Sequence, residues 1–376
     1  MQTEIARGTF PGAQYAAGED GDLVLEGAFG FASVEPERIQ VARNTIYDLA
    51  SLTKPLVTAL LASIFVERGL LDFDAPVSIY LSEFHSASEK DWSQQATVTH
   101  LLTHTSGLPA WRPLYLEAES RDEVPASIAR IARHATPPES AQVVYSDLNY
   151  ILLGFIIERI TQQRLDSIAQ REIFDPLALR RTLFNPPPEL KSDIAATERG
   201  REHERRIVEK ESNELKKDSF DRNSSTLQLF TSSTLPLIGE VHDGNARFLE
   251  GVAGHAGLFS TAREVFQITN QFLPGSRLLH SDALELFTRN FTRGRGDARS
   301  IGWMLAETPD CSAGSLLPDC AFGHTGFTGT SIWVDPLKRR VMVLLTNRVH
   351  PAVMDTDMKE RRQKFNSLAI EAMDAK

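Results

Sequence analysis

Ser51-Leu52-Thr53-Lys54, followed by the apolar run Pro55 to Gly69, is the stretch from which the fold is best read. Leu56, Leu60, Ile64 and Phe65 recur at helical spacing, which predicts a helix beginning near Ser51. Residues three apart share one helix face, about 5–6 Å from each other. An amine is therefore set beside a hydroxyl at a helix N-terminus, where backbone N–H groups favour negative charge. A serine alcohol is a weak nucleophile until a base takes its proton. A lysine serves as that base only when its surroundings lower its pKa from about 10.4. On its own the pair also reads as a Ser cap followed by a surface Lys, so further signals must come from elsewhere.

The chain has 376 residues, 41% hydrophobic and 24% charged, long enough for a large core and two lobes. Its net charge is −10 and no basic cluster stands out, which disfavours a nucleic-acid partner. The two cysteines, Cys311 and Cys320, make no disulfide framework; they are free thiols or one local bridge. No zinc-type Cys/His spacing is present, and no cofactor or metal is expected. The N-terminus lacks a basic head and apolar stretch, so a cytoplasmic location is the default expectation, or a periplasmic one if a leader was removed. The apolar stretches fall short of the roughly 20 residues of a transmembrane segment. Oligomeric state is not legible.

Ala13–Ala17 and Leu23–Phe29 flank the turn Glu19-Asp20-Gly21-Asp22 and predict a β-hairpin. Thr99 to Thr105 reads as a short helix capped by Thr99, with Gly107 suited to a left-handed C-terminal position. Residues 121–134 and 148–163 read as further helices. Of the 24 residues from Arg199 to Arg222, 15 are Asp, Glu, Lys or Arg. That composition reads as a solvated helix or mobile insertion, or as a lid over a cleft. A glycine-rich passage follows, Gly239 to Gly244 and Gly251 to Phe259. Thr261 to Glu264 fits a capping box. Ile301–Ala306, Thr330–Val334 and Val341–Thr346 read as strands, and 357–374 as a closing helix. A chain that begins and ends in strand can join both ends in one sheet around a helical middle, with a site between the lobes.

Two more segments carry chemistry. Tyr145-Ser146-Asp147 precedes a helix, where a phenol can point into a cleft and act as a general base beside an ammonium. His324-Thr325-Gly326-Phe327-Thr328-Gly329 precedes a predicted strand, and its glycines allow close backbone approach. Each has a bland alternative: a core tyrosine with its hydroxyl at the rim, and a structural glycine turn.

In order, Ser51-x-x-Lys54, Tyr145-Ser146-Asp147 and His324-Thr325-Gly326 resemble the S-x-x-K, Y-x-N and [KH]-T-G motifs of the class C β-lactamase, D-alanyl carboxypeptidase and serine esterase superfamily. Leu101 to Leu108 resembles that superfamily's L-L-x-H-T-S-G-L signature, and Gly254 to Ser260 resembles another of its segments. The resemblance spans about residues 8 to 350. It implies an α+β, β-lactamase/transpeptidase-like fold: one catalytic domain over 1–376, with a sheet lobe (1–50 and 240–376) and a helical lobe (51–239). It implies Ser51 as the acylated nucleophile, with Lys54 and Tyr145 sharing the proton work. It places the Ser51 and Phe327 N–H groups in an oxyanion hole, and His324 with Thr325 beside the substrate carboxylate or leaving group. Two positions depart from the pattern. Asp147 replaces Asn; a carboxylate only accepts, so it would pair with Lys54 and hold it charged, favouring Tyr145 as base. His324 replaces Lys, and a neutral imidazole attracts a β-lactam carboxylate less.

The leading expectation is a serine hydrolase forming an acyl-enzyme on a small ester or D-amino-acid-type amide, with Asp147, His324, Thr325 and Gly326 binding substrate. True β-lactam hydrolysis is the alternative within that chemistry. A non-catalytic penicillin- or peptidoglycan-binding module is an alternative from another class. A metal-dependent hydrolase is weaker than either; His100, His104, His242 and His255 are its candidates, with His100 and His104 at i, i+4 spaced to bind zinc.

Overall fold

The computed structural model describes residues 1–85, 92–214 and 235–375. The hairpin forms as expected: β1 (Gly12–Glu19) pairs antiparallel with β2 (Asp22–Ser33) across Asp20 and Gly21, both at positive φ. β1 also pairs along its length with β10 (Arg340–Thr346), Ala13 facing Thr346 and Glu19 facing Arg340. The two ends of the chain thus meet in one sheet. With β3 (Ile39–Gln40), β7 (Met304–Leu305), β8 (Phe322–Thr325) and β9 (Ser331–Asp335) its order is β3-β2-β1-β10-β9-β8-β7. Every residue of β10 is buried, because both faces of this strand are covered. Phe10, Trp333, Met342 and Leu344 pack on one side with Phe365 and Ile370 of the closing helix Met358–Asp374. Val341, Val343 and Leu345 face the larger core shared with the central helices. Each such side chain contributes about 1.5–3 kcal/mol when fully buried.

A second sheet, β4-β6-β5, joins β4 (Tyr47–Asp48), β6 (Leu258–Ser260) and β5 (Leu183–Phe184). β4 runs straight into the predicted helix. That helix starts with a 3₁₀ turn at Ala50–Leu52, continues as a π-type segment at Lys54–Ala59, and becomes α-helical at Leu60–Glu67. Pro55 lacks an N–H and sits at the start of the π-type segment. The stretch Ala50–Glu67 is apolar and long enough to cross a bilayer, with mean hydropathy 1.4, although no single apolar run predicted it. Here 83% of it is buried inside the fold. The antiparallel sheet and its surrounding helices make an α+β fold.

Several local expectations change. The helix predicted at 99–105 spans Val98–Leu102, and its cap is Thr97, whose hydroxyl accepts from the His100 N–H. The His100 ring returns the contact to the Thr97 N–H, completing a capping box that a search for Glu or Gln overlooks. Thr261 caps its helix, but Glu264 turns away to accept from the Arg180 and Arg181 N–H groups. The strand expected at 301–306 shrinks to Met304–Leu305, because Gly302 at φ +84 closes a turn. His324 lies on a strand of its own, β8, paired with Ile332 of β9. The charged stretch is helical from Glu202 to Glu214, and its remainder lies outside the described residues. Cys311 and Cys320 are both free.

Candidate active site

Local geometry presents Ser51 at the head of its helix. Asp48 accepts from the Ala50 N–H through one carboxylate oxygen and from the His242 N–H through the other. Ala50 takes φ +48, a strained conformation for a residue with a Cβ. The turn after β8 is stapled to this segment: the Thr328 hydroxyl donates to Asp48 O and that of Thr330 to Leu49 O. Gly326 permits the approach, since a Cβ there would lie 2.6 Å from Leu49 O. Within the turn, Gly326 N donates to Thr330 O and Gly329 N to Gly326 O. The Phe327 N–H has no acceptor among the described residues.

Lys54 is completely buried. Its Nζ lies 2.8 Å from Ser51 Oγ, 3.1 Å from His255 O and 2.7 Å from Asp147 Oδ1. The Ser51 hydroxyl and the His255 carbonyl accept hydrogen bonds from the ammonium, and the Asp147 carboxylate is its ion-pair partner. Burial works against that charge, but the Asp147 carboxylate and then the Tyr145 phenol outweigh it and raise the lysine pKa above its ordinary value. The structure thus brings Ser51, Lys54 and Asp147 into contact. That upward direction favours the ammonium form of Lys54.

Tyr145 enters from the loop before helix Asp147–Thr161, with Lys54 Nζ 5.0 Å from its ring centroid. His104 packs beneath it at 4.5 Å between ring centroids. His104 adopts φ +59, and its Nδ1 accepts from the Ser146 N–H, which fixes the loop carrying Tyr145. Burial, then the charges of Arg299 and Lys54, press His104 well below the usual histidine range. Both histidines of the i, i+4 pair are thus spent on backbone donors, His100 on Thr97 and His104 on Ser146.

His324, on β8, lines the cleft. Its Nδ1 contacts Thr325 O at 2.9 Å, which makes Nδ1 the protonated nitrogen and leaves Nε2 as a buried acceptor. Burial and the charges of Lys54 and Arg299 hold the ring neutral. It therefore supplies no positive charge for an anionic group. Arg348 and Arg362, which no short motif announced, also line the cleft. Arg362, on the closing helix, donates to Gly326 O and Thr330 O; burial and then the charge of Arg348 push its pKa down to about 9.

These groups line one cleft of about 650 Å³, which holds Ser51, Tyr145, Asp147, His324, Thr325, Gly326 and Phe327. His203, Glu204 and Ile207, on helix Glu202–Glu214, form one wall. The rings of His203 and His242 lie 5.5 and 5.6 Å from that of Phe327. Glu204 accepts from the Tyr115 hydroxyl and the Gly244 N–H, and burial beside Asp243 pushes its carboxyl up to about 7. A half-buried hydroxyl on a buried lysine, an unengaged N–H opposite and a walled cleft together form an arrangement able to carry acyl transfer.

The family model described as Beta-lactamase matches residues 1–366. The chain belongs to the beta-lactamase family. It is a serine hydrolase of that family. It is 30% identical to the N-acetylmuramyl-L-alanine amidase of Bacillus subtilis (strain 168), over 95% of this chain and 81% of that protein. It is also 30% identical to a putative D-alanyl-D-alanine carboxypeptidase of Salmonella agona (strain SL483), over 94% and 82%. The fold is shared with a class C beta-lactamase from Rhodobacter sphaeroides: TM-score 0.70, 20% identity, 99% of this chain and 97% of that one. Against the beta-lactamase family pattern, Arg299, Arg348, Arg362 and Glu204 are the cleft residues that no short motif announced. Each reaches the site from a segment remote in sequence.

Proposed function

We propose that Ser51 forms an acyl-enzyme on a D-amino-acid-type amide or small ester whose leaving group bears a carboxylate, a carboxypeptidase-like reaction. The observation that carries this reading is the fully buried Lys54 ammonium in contact with Ser51 Oγ at 2.8 Å and Asp147 at 2.7 Å. The ammonium polarises the hydroxyl, and Tyr145 takes its proton as Ser51 attacks the substrate carbonyl. The N–H groups of Ser51 and Phe327 receive the developing oxyanion, and such donors contribute about 2.7–4 kcal/mol each. Water then attacks the acyl-enzyme with the same proton acceptor.

The substrate class follows from charge. Arg348 and Arg362 line the cleft beside Gly326 and Phe327, and neither has a carboxylate partner among the described residues. An anionic leaving group suits that end, with Thr325 donating through its hydroxyl. The two relatives named as an amidase and a carboxypeptidase support an amide substrate. Asp147 in place of an amide donor and a neutral His324 argue against efficient β-lactam hydrolysis.

The test is a panel of a D-alanyl-D-alanine peptide, a short-chain ester and a chromogenic cephalosporin, each against wild type and Ser51→Ala. Peptide and ester turnover lost in Ser51→Ala supports the reading. Rapid cephalosporin turnover with inert peptide would replace it by true β-lactam hydrolysis, and ligand binding without any turnover by a binding module.

A further inference from the structure

Helix Glu202–Glu214 walls the Ser51 cleft through His203, Glu204 and Ile207. Its large apolar residues are Ile207 and Val208, and Ile207 is 38% exposed. Of residues 202–210, Glu204 alone is buried. A surface helix ordinarily docks by an apolar stripe, and an undocked helix of this length is marginal in water. This one docks through a carboxyl group.

Glu204 fits its seat closely. One oxygen accepts from the Tyr115 hydroxyl at 2.8 Å and the other from the Gly244 N–H at 3.0 Å. A Cβ on Gly244 would lie 2.2 Å from Oε1 of Glu204. The start of the helix is fastened separately. Gly200 and Arg201 take φ +55 and +53 and turn the chain into the helix. The buried Arg201 guanidinium donates to His242 O and pairs with Glu240. Glu198 accepts from the His203 N–H at 2.6 Å and contacts the His242 ring at 2.9 Å. Beyond that first turn, Glu204 is the buried tie between the helix body and the cleft.

The groups facing this carboxyl come from three segments. His242 and Asp243 precede helix Gly244–Phe248, Arg201 precedes the wall helix, and Tyr115 lies in Leu114–Glu117. Burial and then Asp243 push the Glu204 carboxyl up to about 7, against Tyr115, His242 and Arg201, which favour its charge. Burial opposes the Asp243 charge as well. There the contact with His255 at 2.8 Å and the Ala246 N–H outweigh burial and hold the carboxyl low. Loss of the Glu204 proton therefore sets a second negative charge in a seat closed to water, and moving outward relieves it.

We propose that Glu204 is a proton-operated latch: its neutral carboxyl seats the body of helix Glu202–Glu214 as a wall of the cleft, and its carboxylate releases it. The proton is exchanged with water. The effect on catalysis rests on the acyl-enzyme reading above; the movement of the wall does not.

The test is backbone hydrogen exchange on the full chain from about pH 5.5 to 8.5, corrected for the intrinsic pH dependence of exchange, in wild type, Glu204→Gln and Tyr115→Phe. A carboxyl with a pKa of about 7 when seated and about 4.5 in water weakens the seated state about thirtyfold across that range. Protection of residues 205–210 is expected to fall about thirtyfold in wild type and less than about threefold in Glu204→Gln. Tyr115→Phe removes a donor to the carboxylate and moves the fall to higher pH. Unchanging protection in wild type, or an equal fall in Glu204→Gln, overturns the proposal. If Glu204→Gln fails to fold, the direction of the Tyr115→Phe shift decides. KM for an uncharged short-chain ester rises over the same range in wild type and stays level in Glu204→Gln; a level wild-type KM overturns the latch as a control of the cleft. Folded wild-type protein that neither turns over the ester nor takes a fluorophosphonate at Ser51 overturns the acyl-enzyme reading instead, and the exchange result stands apart from it.

Discussion

Asp147→Asn changes the charge beside Lys54 while nearly keeping the side chain's shape. Asp147 Oδ1 lies 2.7 Å from an Nζ that is wholly buried. At an effective dielectric of about 20, attraction at that separation is about 6 kcal/mol, most of it offset by removing both groups from water. Deleting one partner of a buried pair costs about 3–5 kcal/mol. The carboxamide oxygen still accepts one hydrogen bond, and Asp147 is 18% exposed, so the expected loss is about 2–3 kcal/mol. The pH dependence has a definite sign. The Lys54 pKa is raised in the fold, so the pair's contribution is complete below about 10.5 and is lost as pH rises through the higher folded value. Guanidinium unfolding of both proteins at about pH 7, 9 and 11 checks this. The gap should hold between the first two and narrow at the third. A loss below about 0.5 kcal/mol at pH 7, or a gap unchanged at pH 11, would refute the reasoning.

Glu204→Gln probes the raised carboxyl. The protonated form contributes stability that is full below about pH 4.5 and lost as pH rises through about 7, so the variant should match wild type near pH 4.5 and exceed it by about 2–3 kcal/mol near pH 8 in unfolding experiments. The lowered Asp243 carboxyl stays ionised across that window and adds no slope. Tyr145→Phe and Lys54→Met should each lower kcat by about 10²–10⁴ with little change in melting temperature for the first, measured by steady-state kinetics and calorimetry. Gly326→Ala places a Cβ 2.1 Å from Thr330 Oγ1 and 2.6 Å from Leu49 O. The displaced turn should cost about 10²–10³ in kcat, and unchanged kinetics would show that the Phe327 N–H is not an oxyanion donor.

What local pattern encodes was legible. The hairpin follows from alternation around Asp20-Gly21, the Ser51 helix from its apolar spacing, and the closing helix from a clear start at Asp357, whose side chain accepts from Lys359 N and Glu360 N. Three short motifs, in order, led to the cleft and to the pairing of Asp147 with Lys54. What was missed depends on tertiary contact. β8 has four residues, and its strand character comes from pairing with β9 rather than from its own sequence. Thr97 and Thr99 are equally good caps by composition, and the His100 ring decides between them. Arg299 and Arg362 read as ordinary surface charges until the sheet and the closing helix turn them inward. The causes that lower the His324 pKa, burial and then the charges of Lys54 and Arg299, likewise lie outside its sequence neighbourhood.

Covalent labelling tests most directly whether Ser51 carries the acyl group. Wild-type protein and Ser51→Ala are incubated with a fluorophosphonate and, separately, with a labelled penicillin, then digested and weighed. An acyl-carrying Ser51 gives a fluorophosphonate adduct on its peptide in wild type and none in Ser51→Ala. Folded wild-type protein with no adduct there, or an adduct that persists in Ser51→Ala, would contradict it.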